Sequence, residues 1–304
     1  EYPAGDGMTV TYMDKNYSIG TCDKEWHNGL QSMNFYVNYK KSKEVNGLGD
    51  IGHVITKYIV NDKLPWQKNI YEPIGMVDNG FNSWDMGRKF ALQSKNSALV
   101  IYKPKAFASK QVTSMRLGIL FPNKCSNSIE EIWFGNEKVD TRNGVSKDPC
   151  SIYIRDGLVY MAIHPLTLTN YGRQAAVTVE HSANGYVLLS LYNYFGEPKD
   201  FASRGFVLTQ NGFAFEIRDQ SQYRSFEDFR KEMEAFTIED RLLTNAHVRQ
   251  TYQRKVKYLH NETALECEFS PNSEGIRYEL INGKLPLKEK LRSTGLDTDK
   301  LPFM

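Results

Sequence analysis

SIYIRDGLVYMAIHP, residues 151–165, is the stretch whose reading decides the fold. Two runs of strand-forming residues flank Asp156-Gly157, a dipeptide suited to the positive φ angles of a two-residue type I′ hairpin turn. With those two residues at the turn, Ile154 falls opposite Val159, Tyr153 opposite Tyr160, Ile152 opposite Met161 and Ser151 opposite Ala162. Side-chain alternation then sorts the hairpin into two faces. One is apolar: Ile152, Ile154, Val159, Met161 and Ile163. The other carries Tyr153, Tyr160, Ala162 and His164. A hairpin apolar on one side and aromatic on the other belongs in the middle of a large sheet, its second face lining a groove or meeting a second layer.

The rest of the chain agrees. Strand-like runs follow one another from Met8 to about Ile217, with Met8–Ile19 read as one strand and Asn184-Gly185 and Asn211-Gly212 as further tight turns. No helical period separates these runs, which excludes βαβ crossovers and leaves antiparallel pairing. One helix interrupts the pattern. Ser225, with Asp228 three residues on, caps it, and Phe226, Phe229, Met233 and Phe236 form an apolar stripe for core packing. Thr237 and Asp240 suggest a second short helix. Strands resume at Gln250–Leu259, Ala264–Phe269 and Ile276–Leu280, with Asn282-Gly283 as a last turn. The expected fold is mainly β: a large antiparallel β-sandwich over residues 1–284, with one or two short helices in the C-terminal half and a surface tail over 285–304.

Composition narrows the function classes. The 304 residues are 40% hydrophobic, enough for a substantial core. A net charge of +2, with no long block of like charge, gives no footprint for nucleic acid or an anionic membrane. No apolar run approaches the ~18 residues of a membrane-spanning helix. The chain begins at Glu1 with no signal-like segment, as expected of a mature protein or an excised domain. Four cysteines, Cys22, Cys125, Cys150 and Cys267, lack metal or redox spacing; Cys125 and Cys150 flank an insertion and either pair in an oxidising compartment or, like the others, remain buried thiols. With 18 Tyr and 16 Phe among Gly-rich turns, the chain suits an extracytoplasmic, secreted or periplasmic, β protein.

The order YMDKNYSIGT (Tyr12–Thr21), WHNGLQ (Trp26–Gln31), SALVIYKP (Ser97–Pro104), RLGILFP (Arg116–Pro122), the 151–165 hairpin and SFEDFRKEM (Ser225–Met233) resembles the β-supersandwich region of heparinase II/III-like polysaccharide-active enzymes. In these an α/α toroid precedes a galactose-mutarotase-like sandwich, and the substrate cleft lies between the two. The toroid is absent from this sequence. The resemblance therefore implies one wall of a cleft, with a glycan and a preceding toroid domain of the same polypeptide as partners. It implies a structural or sugar-binding role, or alternatively lyase or mutarotase-like epimerase chemistry using His and Tyr as acid and base.

The residues to carry such a role follow from side-chain chemistry. His164, with Tyr160 on the same hairpin face, and His27 are the acid–base candidates, because His titrates near neutrality and Tyr transfers a proton where its pKa is lowered. His164 reads equally as a hydrogen-bonded sheet histidine. Trp26, Asn28 and Gln31 combine a ring that stacks on sugar C–H faces with amides that bind hydroxyls. Trp84 stands in the Pro- and Gly-interrupted stretch from Gly47 to Met86, which reads as a working surface. Tyr171, Arg173 and Tyr192 complete the set, Arg173 as the partner of a uronate carboxylate. No metal-ligand spacing or nucleophile motif occurs, so no cofactor is expected. Asp78, Asn79, Asn82 and Asp85 make an oxygen-rich loop that suggests Ca²⁺, but Lys89 stands where an EF-hand loop needs its bidentate Glu.

Overall fold

The computed structural model describes residues 9–22, 35–61, 87–104, 109–121, 129–181, 187–201, 209–244, 252–269 and 276–284. Trp26, His27, Asn28, Gln31, Trp84, Cys125, the oxygen-rich 78–85 loop, Asn184-Gly185 and the 285–304 tail lie outside them. In chain order the strands are β1 (Thr9–Met13), β2 (Tyr17–Cys22), β3 (Phe35–Lys40), β4 (Ile51–Val60), β5 (Gly87–Ser94), β6 (Ser97–Pro104) and β7 (Ser109–Phe121). There follow β8 (Glu131–Phe134), β9 (Glu137–Val139), β10 (Asn143–Ser146), β11 (Ile152–Asp156), β12 (Val159–Pro165), β13 (Val177–His181), β14 (Val187–Phe201) and β15 (Asn211–Asp219). Helix α1 (Phe226–Met233) then leads to β16 (Phe236–Thr244), β17 (Tyr252–His260), β18 (Thr263–Phe269) and β19 (Ile276–Ile281).

These strands make three antiparallel sheets among the described residues. The eight-stranded sheet runs β1-β2-β3-β4-β7-β14-β13-β10, the seven-stranded sheet β5-β6-β15-β12-β11-β8-β9 and the four-stranded sheet β16-β17-β18-β19. The two larger sheets form the sandwich. Val37, Val54, Leu117, Ile119, Val179 and Leu189 from one interdigitate with Val100, Ile154, Met161, Ile163, Phe213 and Phe215 from the other. Phe35 bridges the layers edge-on to Phe213 and Phe215, with ring centroids 5.5 and 5.1 Å apart.

The β11–β12 hairpin occupies the middle of the seven-stranded sheet, as the sequence predicts, but its register differs. Asp156 pairs with Val159, Ile154 with Met161 and Ile152 with Ile163, so Gly157 and Leu158 form the turn. Gly157 alone of the two has positive φ, +60°, as a type II′ turn requires and a type I′ turn does not. The displacement amounts to two positions in the pairing, so every side chain keeps the face assigned to it. Gly157 is also where the turn tucks beneath the end of β3: Leu158 N donates to Lys40 O at 3.0 Å, and a Cβ on Gly157 would lie 2.4 Å from Lys41 Cα. Gly157→Ala is therefore expected to cost about 2–3 kcal/mol, from left-handed backbone and forced displacement of β3, read as a lower urea midpoint.

Local corrections have local causes. Met8–Ile19 is not one strand; β1 and β2 fold back around Asp14, whose N–H donates to Tyr17 O at 2.8 Å. Asn211-Gly212 is not a turn but the start of β15. Asn211 Nδ2 reaches Leu191 O at 3.0 Å and Asn193 Oδ1 at 2.8 Å, and Gly212, φ +144°, lets the β6 backbone approach. Asn282-Gly283 is a turn, both residues having positive φ. The short strands β9 and β10 lie within the supposed insertion between Cys125 and Cys150.

The predicted α1 caps as expected, with Asp228 N donating to Ser225 Oγ at 3.1 Å. It ends at Met233, so Phe236 belongs to the next element. The second helix expected from Thr237 and Asp240 is instead strand β16, where Phe236, Ile238 and Leu242 are half-buried, the Asp240 side chain is buried, and Thr237, Glu239 and Arg241 are exposed. That alternation has period two, which overrides a capping pattern three residues long.

Candidate functional site

Sheet alternation sends Tyr153, Tyr160, Ala162 and His164 to the outer face of the seven-stranded sheet, beside Ala214, Glu216 and Arg218 of β15. That face is a second interior. Helix α1 covers Tyr153, Tyr160 and Ala162 with Phe226, Phe229 and Met233. The four-stranded sheet covers Leu99, Ile101 and Ala214 with Val256, Tyr258, Leu265 and Cys267. His164 has no exposed surface. Its ring stacks on Phe236 at 3.9 Å, and its Nδ1 lies 2.9 Å from Ser151 Oγ while Nε2 finds no hydrogen-bond partner among the described residues. Burial drives its pKa down to about 3, so it is neutral. Tyr160 packs against Phe226 and Phe229, and burial raises its pKa. A proton-transfer group at an open sheet rim, the role expected of His164, needs a surface that is covered here.

Beside His164 lies a polar cluster that the sequence reading missed. Glu216 accepts from Ser97 Oγ at 2.7 Å, Tyr258 Oη at 2.8 Å and Arg218 Nη2 at 2.7 Å, while His260 Nδ1 stands 3.4 Å from Oε1. Burial alone would raise this carboxyl, but donors from His260, Arg218 and Ser97 outweigh it and hold the pKa down to about 2. The available signal was a single Glu within the apolar run FAFEI of a doubly covered strand. A second pair, Asp240 and Arg254, is bidentate: Nε to Oδ1 at 2.8 Å and Nη2 to Oδ2 at 2.6 Å, each side chain 1% exposed.

The other predicted contacts are tied down by their neighbours. Tyr192 is buried on the outer face of the eight-stranded sheet, where its Oη accepts from Arg116 at 2.8 Å and its ring stacks on Phe195. Arg173 Nη1 donates to the carbonyls of Leu168 and Tyr192, both at 3.1 Å. Tyr171 Oη and Thr209 Oγ1 are 2.7 Å apart. These three residues organise the loop after β12 and the middle of β14. The structure does not bring them together with His164 or Tyr160, which lie on the outer side of the opposite sheet. Among the described residues no group of three or more His, Cys, Asp or Glu is arranged to hold a metal ion.

A different surface carries accessible polar and aromatic groups. On the outer face of β1–β4, register aligns Thr11, Gly20 and Tyr36 in one row and Ser18, Asn38 and His53 in the next. The Tyr36 ring lies over Gly20, where a Cβ would meet ring carbon Cζ at 2.2 Å. Its hydroxyl is 3.1 Å from Thr11 Oγ1, and Asn38 Oδ1 is 2.6 Å from His53 Nδ1. Tyr36, Asn38 and His53 are half-buried and Thr11 exposed.

No family model matches the chain, and no curated protein or solved structure does. Among the described residues no helix is long and apolar enough to cross a membrane.

Proposed function

We propose that this chain is a non-catalytic, carbohydrate-associated β-sandwich domain of a larger glycan-processing, extracytoplasmic protein, joined to a toroid domain in the same polypeptide. The observation that carries this choice over acid–base catalysis is the closure of α1 and the four-stranded sheet over His164 and Tyr160. The sugar contact is assigned to the outer face of β1–β4. Tyr36 offers an aromatic ring, with hydroxyl, amide and imidazole groups beside it, the combination that suits C–H faces and hydroxyls of a pyranose. Trp26, Asn28 and Gln31 belong to the connection from β2 to β3, four to nine residues before Phe35, the first residue of β3.

A glycan array with the full chain tests this. Tyr36→Ala and Trp26→Ala are each expected to weaken binding about tenfold or more, the equivalent of ~1.4 kcal/mol, with His164→Ala binding as the parent does. Depolymerisation or epimerisation by the chain, abolished by His164→Ala, would establish the catalytic alternative instead.

A further inference from the structure

His260 ends β17 and stands where three elements meet. Its Nδ1 faces Glu216 Oε1 of β15 at 3.4 Å, and its Nε2 lies 3.0 Å from the carbonyl oxygen of Glu232 in the last turn of α1. Both partners can only accept. Each already accepts from other donors, the Glu232 carbonyl from Ala235 N–H at 3.2 Å and Glu216 from Ser97, Tyr258 and Arg218. But a neutral imidazole, with one N–H, donates to one of them and turns a lone pair on the other, whereas the imidazolium donates to both. The helix C-terminus adds a partial negative charge at the same place. We propose that His260 is a charged pin holding α1 and the four-stranded sheet against the sandwich, and that loss of its proton frees this cover as a unit.

The surroundings weigh for and against that charge. From β15, Glu216 attracts the imidazolium and Arg218 repels it. From β12, His164 stands neutral, and Tyr258 on β17 and Tyr223 before α1 are kept as phenols by burial. Burial of His260 opposes the charge, but Glu216 and the Glu232 carbonyl prevail, and its pKa lies above the ordinary 6.5. The cover is contiguous in sequence: α1 runs into β16 through Glu234 and Ala235, and Phe236, the first residue of β16, is the ring stacked on His164. Release would therefore expose Tyr160 and His164 together.

The sign follows from the raised pKa. The pin's stabilisation is complete below pH 6.5 and is lost as pH rises from there through the folded-state midpoint, about tenfold in the opening constant per pH unit within that window. Two measurements on the full chain decide it. An NMR titration is expected to show the His260 ring titrating above 6.5. Hydrogen exchange, corrected for intrinsic base catalysis, is expected to accelerate from pH 7 to 9 in α1 and β16–β18 while β11 and β12 stay protected. His260→Gln should remove the pH dependence. A His260 midpoint at or below 6.5, or alkaline opening spread evenly over both sandwich sheets, would overturn the proposal, and both readouts are obtained on the unsubstituted chain.

Discussion

Arg254→Met is expected to destabilise the protein by about 3–5 kcal/mol, because it strands the Asp240 carboxylate in the interior. The pair joins β16 to β17, and Arg254 also docks the four-stranded sheet on its neighbour, with Nη1 donating to the carbonyls of Asn211 at 3.0 Å and Tyr102 at 3.4 Å. Without the guanidinium, Asp240 keeps Gln210 Nε2 at 3.1 Å and the Thr167 N–H at 3.0 Å, too little to solvate a buried charge. Removing both charges together tells a different story. Arg254→Met with Asp240→Leu is expected to recover most of the loss, since well-packed apolar replacements of buried ion pairs are often neutral or stabilising. Urea unfolding of the two single variants and the double closes the cycle. Single variants costing under ~1 kcal/mol would class the pair with solvent-exposed salt bridges and remove it as an anchor of the third sheet.

The faces of the β11–β12 hairpin were legible because period-two alternation is local and survives a two-position shift in pairing. The register was not, since Asp156-Gly157 supports a turn with Gly in either central position. Asn211-Gly212 misled for a related reason: Asn and Gly answer equally to a turn and to a buried amide beside a close strand contact. What covers the hairpin's aromatic side depends on pairings far along the chain. Ser97 and Tyr258 lie 119 and 42 residues from Glu216, and no spacing rule connects them. His164 was recognisable as unusual from its face, but whether that face opens to solvent or to another layer is decided by β16, read as a helix from a three-residue cap signature.

Acid is expected to unfold this protein through His164. The folded chain holds that imidazole neutral, with a pKa of about 3, while in the unfolded chain it titrates near its ordinary 6.5. Between those values the unfolded state binds a proton that the folded state refuses, so stability rises with pH across the window and is lost as pH falls from 6.5 toward 3. The gap, at about 1.4 kcal/mol per pH unit, comes to roughly 5 kcal/mol, comparable with the whole stability of a small domain. Glu216 acts in the same direction further down: its stabilisation is present above 4.5 and disappears as pH falls through about 2. Thermal melts from pH 7 to 4 are expected to show a steep decline for the parent and a shallow one for His164→Gln, which has nothing to protonate. An equally steep decline in that variant would mean that the cover over His164 already admits water and a proton, and the interior position of the ring would then no longer account for its neutrality.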